Sequence, residues 1–159
     1  MGRKSTKENK NKYQVCREAL SLTREKASEK LGFISASRIE KIESEKTKPQ
    51  PDEVLAMSKC YKSPSLCNYY CANECAIGIK NIPEVKPKDL SQITLNILAS
   101  LNTLNEEKNR LIDITVDGVI SEDEKEDFER IKSELNQISI AVNSLSLWVE
   151  EAIIDGKIK

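Results

Sequence analysis

From Lys12 onward, apolar residues recur at steps of three and four, which puts them on one side of a helix, and the alternation expected of a strand is missing. Tyr13, Cys16 and Leu20 share one face of a first segment, and Ser21 then breaks the pattern. Thr23 is placed to cap a second helix that runs to Leu31, and Gly32 stops it because glycine takes the left-handed conformation that closes helices. Ser35 or Ser37 starts a third helix with Ile39 and Ile42 as its buried stripe, and Ser37 with Glu40 has capping-box spacing. The run "SEKTKPQPDE" supplies turn and breaker residues before a fourth helix bearing Val54, Leu55, Met57 and Cys60, with Pro51 suited to its first turn. "SPSLCNYYCANECAIG" predicts a short fifth helix. The fold class that follows is all-α.

Two prolines in "NIPEVKPKD" mark a linker over 82–88. It separates an N-terminal domain, 12–81, preceded by a polar, Lys-rich mobile arm at 1–11, from a C-terminal segment, 89–159. In that segment Leu90, Ile97, Leu101, Leu104 and Leu111 predict one long amphipathic helix, ended by "DITVDGVI". Ser121 and Glu124 form a capping box for the next helix. Phe128, Ile131, Leu135, Ile138, Val142, Leu145, Val149 and Ala152 then alternate in steps of three and four, the pattern of a coiled-coil seam. Ile140, Leu147 and Ile154 make a second row, seven apart, on the far side. One hairpin partner cannot cover both rows, so the pattern predicts a homodimer in which two helical hairpins pack together. The alternative is that the far row covers the N-terminal domain.

Charge changes this picture by dividing the chain. Residues 1–62 carry 15 Lys and Arg against 9 Asp and Glu, a net +6, while residues 63–159 carry 10 against 17, a net -7. A basic first part suits a polyanion and an acidic, regularly patterned second part suits self-association. The start "MGRKSTKENKNKYQ" has no apolar core of signal-peptide length, and no segment approaches the ~18 apolar residues of a membrane span, so no membrane partner and a cytoplasmic location are expected.

The stretches "LTREKASEKLG" and "RIEKIESEKTKPQPDEVLAMSK" resemble the XRE or lambda-repressor-like helix-turn-helix family over roughly residues 12–62. The resemblance implies a five-helix domain whose second and third helices form the helix-turn-helix, the third lying in the major groove of double-stranded DNA. It implies base contacts from Ala36, Ser37, Arg38 and Lys41, with the fork of Arg38 suited to guanine O6 and N7. Phosphate contacts are expected from Thr23, Arg24, Lys46, Thr47 and Lys48. Arg17 and Glu43 match a structural salt bridge of the family. Two departures stand out: Phe33 reads as one extra residue in the turn, and Ser44-Glu45 replaces the usual Asn-Gly. A repressor acting as a dimer on a pseudo-palindromic operator is the function implied.

Other chemistry is weaker. Five cysteines in a reducing compartment should be free thiols or metal ligands. Cys67, Cys71 and Cys75 are spaced to share one side of a helix, with Cys60 as a fourth candidate ligand for zinc or an iron-sulfur cluster; core packing is the competing explanation. "DITVDGVISEDE" places Asp113, Asp117 and Glu124 at positions 1, 5 and 12 of an EF-hand calcium loop, although a glycine turn followed by a capping box accounts for the same residues. With no His, no Gly-rich phosphate loop and no nucleophile beside a base, no enzyme and no obligatory cofactor are expected. The other functional class open to the sequence is a protein-interaction or metal- or thiol-sensing module on a repressor-like scaffold.

Overall fold

Side-chain caps set where the helices begin. Asn11 accepts a hydrogen bond from the Gln14 amide and starts α1 (Lys12–Ala19), Thr23 accepts from Lys26 and starts α2 (Arg24–Leu31), and Ser35 accepts from Arg38 and starts α3 (Ala36–Glu43). Of the two candidate caps, Ser35 is therefore the one used, and Ser37 lies inside the first turn. In α4 (Pro51–Cys60) Gln50 and Glu53 form the capping box, with Pro51 where its missing amide costs nothing. The computed structural model describes residues 10–86 and 89–158, and among these it has eight α-helices and no strand. Most of the arm expected over 1–11 lies outside the described residues, but Lys10 pairs with Glu18 at 2.7 Å and Asn11 caps α1, so these two are part of the fold.

The chain divides into two compact units that part between Glu84 and Val85. In the first, Tyr13, Ala27, Ile34, Ile39, Ile42, Val54, Met57, Tyr61 and Leu66 form one core. Burying each large member contributes about 1.5–3 kcal/mol, enough to fix how the short helices sit. Ile34 is buried and Phe33 exposed, which places the extra turn residue in solvent. Leu20 and Leu55, expected in the core, are exposed. The fifth segment divides into α5 (Ser65–Asn73) and α6 (Gly78–Asn81). The break is held by Tyr13, whose hydroxyl donates to Glu74 at 3.2 Å.

The second unit contains α7 (Leu90–Thr115) and, as far as Ala152, α8 (Lys125–Ile154). Arg110 bonds Asp127 at 2.6 Å and Arg130 bonds Glu107 at 2.5 Å, so three residues back along α7 match three forward along α8 and the pair is antiparallel. Around α8, the expected seam shares Ile131, Ile138, Leu145 and Ala152 with the buried or half-buried side of the helix. Its second row divides: Phe128 and Val149 are half-buried, while Leu135 and Val142 stay 44 % and 50 % exposed and the neighbouring Ala141 is buried. In the far row Leu147 is buried, Ile140 half-buried and Ile154 exposed. On α7, Ile93 and Ile114 are buried, whereas Leu101 and Leu90, expected in its stripe, are exposed. No helix of the described residues is long and apolar enough to cross a membrane.

Candidate nucleic-acid interface

The third helix is anchored through a single carboxylate. Glu43, at the end of α3 and buried, accepts from Arg17 Nε at 2.5 Å and Nη2 at 2.9 Å, and from Arg24 Nε at 2.8 Å. Arg17 Nη1 also donates to the Leu22 carbonyl. One buried charge thus ties α1, α2 and α3 together, as fits a group whose burial is costly unless it is fully hydrogen-bonded. The expected Arg17–Glu43 pair is present. Arg24, expected on phosphate, joins it through Nε, and its two Nη groups have no partner among the described residues.

Arg38 is placed differently from the expectation. Its Nε and Nη2 hold Glu53 at 2.8 and 2.7 Å, Nη1 donates to Thr47 Oγ1 at 2.7 Å, and Nη2 donates to the Lys48 carbonyl at 3.0 Å. The fork that would address guanine is occupied inside the domain. The reason lies in helix phase: with Ile39 and Ile42 inward, Arg38 falls on the flank next to the start of α4. Glu53 also accepts from the Gln50 amide at 2.7 Å, and the Arg38 guanidinium holds its carboxyl below the usual carboxylate range although partial burial acts the other way.

The side chains that α3 turns to solvent are Ser37, Glu40 and Lys41, with Ala36 half-buried at the edge. Ser44, one turn on, donates to the Lys41 carbonyl at 3.3 Å. Lys46, Thr47 and Lys48 are exposed beside this face. Their turn is fastened by the Lys46 and Thr47 amides, both donating to the Lys41 carbonyl. Glu45 takes the left-handed conformation at φ 59° where the family pattern has glycine, a cost of about 1 kcal/mol or more. Thr23 is occupied as the cap of α2. Two participants escaped sequence reasoning. Glu53 lies 15 residues from Arg38, and Glu40 shares the exposed side with Ser37 and Lys41, a phase the sequence does display.

The other expected sites are not assembled. Cys67 and Cys71 lie on α5, Cys75 follows the end of that helix at Asn73, and Cys60 closes α4. Among the described residues no group of three or more His, Cys, Asp or Glu side chains is placed to hold a metal ion. Burial pushes the Cys60 and Cys71 thiols up, which disfavours the reactive thiolate. The residues of the expected calcium loop are engaged locally. Asp113 and Thr115 are still inside α7, Asp117 accepts from the Val119 amide at 3.0 Å, and Glu124 accepts from the Ser121 amide at 3.0 Å and its hydroxyl at 2.5 Å. Half of the expected capping box is present, since the Glu124 amide donates to the Ser121 carbonyl and not to its hydroxyl.

No curated protein and no solved structure matches the chain. Part of it matches a family: residues 15–65 match helix-turn-helix, from within α1 through α4 and including the turn that carries Lys46 to Lys48. With α2 and α3 joined by a short turn, α3 fastened from behind and its polar side open, this segment has the helix-turn-helix form that the family match describes.

Proposed function

We propose that the protein is a sequence-specific transcriptional repressor that binds a pseudo-palindromic operator as a homodimer. The observation that carries this is the α3 surface, where Ser37 and Lys41 are free for base edges and Ala36 borders them. Arg24, Lys46 and Lys48 flank it as phosphate ligands, with Thr23 and Thr47 contributing their hydroxyls. Arg38 acts here as a positioning residue for the turn and not as a base reader.

The second unit supports the dimer. Leu98, Leu101 and Ile112 on α7 and Leu135 and Val142 on α8 are exposed, each about a quarter turn past the contact line in the direction of its chain. In an antiparallel pair, that phase puts both rows on one side of the hairpin, and together they make an apolar face suited to a second hairpin. Dimerisation then sets two α3 helices on half-sites about one helical turn of DNA apart.

The test is fluorescence anisotropy of the full chain against a random-sequence duplex and a pool of genomic fragments, each at several salt concentrations. Log affinity should fall linearly with log salt, a genomic fraction should bind more tightly, and the double variant Lys46→Ala/Lys48→Ala should reduce the slope by about 2. A folded protein that binds no duplex at low salt, or a double variant with the parent's slope, would overturn the proposal or its phosphate assignments respectively.

A further inference from the structure

With Arg38 committed to Glu53, Thr47 and Lys48, the exposed polar groups in the first turn and a half of α3 reduce to a hydroxyl, a carboxylate and an ammonium. The carboxylate, Glu40, has no ion-pair partner among the described residues. It is an unusual group to carry on a surface meant for a polyanion. A carboxylate brought among phosphates loses water and gains repulsion, and only a hydrogen-bond donor at the base edge offsets that loss.

The major groove offers such donors at two places, the N4 amino group of cytosine and the N6 amino group of adenine. Adenine presents N6 beside the N7 acceptor, so a second carboxylate oxygen there faces a lone pair. Guanine and thymine show a carboxylate only acceptors or a methyl group. Lys41 is the converse, a donor with no acceptor, and suits guanine O6 and N7.

We propose that Glu40 is a specificity-determining residue that accepts a hydrogen bond from cytosine N4 at one fixed position of each half-site. This rests on the DNA-binding function proposed above and goes beyond it by naming a base. Most of the discrimination comes from exclusion: guanine and thymine leave a desolvated charge unpaired, and adenine bonds one carboxylate oxygen while its N7 repels the other, so replacing that cytosine should weaken binding roughly ten- to a hundredfold, least for adenine. The same charge lowers affinity for unrelated sequence, which sharpens the choice.

The experiment is selection of preferred sites from a randomised duplex pool by the full-length parent, Glu40→Gln and Glu40→Ala, followed by affinity measurement on each selected site with single base changes. Glu40 is exposed, so both variants should keep the parent's thermal stability. The parent should select sites with one fixed cytosine per half-site. Glu40→Gln should move that position to adenine, which glutamine can bond at N6 and N7, and Glu40→Ala should lose the preference there while keeping it elsewhere. Both variants should bind random duplex more tightly than the parent. If all three proteins select the same base at every position, Glu40 does not read sequence and the inference is overturned while the DNA-binding proposal stands. A parent that binds no duplex overturns both.

Discussion

Arg38 and Glu53 share two hydrogen bonds that hold the start of α4 against the flank of α3. Because the folded-state pKa of Glu53 is depressed, its stabilisation is complete above the ordinary carboxylate value near 4.5 and is lost as pH falls through the lower folded value. Glu53→Gln should therefore destabilise the first unit by on the order of 1 kcal/mol at neutral pH. The gap between parent and variant should close as denaturant unfolding is followed from pH 7 to pH 3, and a constant gap would show that the charge contributes nothing. This pair also marks the limit of what the residues alone disclosed. Arg17 and Glu43 were legible because a family pattern names both, whereas the partner of Arg38 depends on the path of the turn from Ser44 to Gln50. That path is set by the left-handed Glu45 and the bonds to the Lys41 carbonyl, neither of which periodicity encodes. Glu40 was legible and passed over, since attention to basic residues near a polyanion hides the acidic one on the same side.

Among the helices, boundaries marked by chemistry were easy to place. Thr23, Gly32 and Pro51 each do at the chain level what their side chains do anywhere. The break between α5 and α6 was hidden because it depends on contact across space. A Cβ added to Gly78 would stand 2.1 Å from the Cys71 carbonyl oxygen and 2.7 Å from its carbon, both backbone atoms that cannot swing away. Gly78→Ala should consequently cost about 1–3 kcal/mol in thermal unfolding, and an unchanged melting temperature would mean that α6 does not pack on α5 in this way. The same dependence on packing explains the phase of α8. Seam and observed face share the heptad row through Ile131, Ile138, Leu145 and Ala152. Ala141 lies on the buried side where Val142 was the more hydrophobic choice, because the heptad pattern leaves open which of two neighbouring positions turns in.

For the molecule as a whole, that phase leaves an apolar face needing cover. Leu135→Glu combined with Val142→Glu changes two side chains already in solvent, so helicity should persist while sedimentation shows monomers in place of dimers. Affinity for a two-half-site operator should fall by about 10²–10⁴, the advantage lost when two linked contacts become one. An unchanged mass would send the dimer contact elsewhere. The turn after α3 bears on a different quantity. Thr47 and Lys48 are held by Arg38, and Lys46 and Thr47 by the Lys41 carbonyl, so three of the proposed phosphate ligands reach the duplex with their backbone already fixed. Little ordering entropy remains to be lost at the encounter. Capture should then proceed at the pace of diffusion and charge attraction for every sequence alike, and the operator would be distinguished by how long the protein stays.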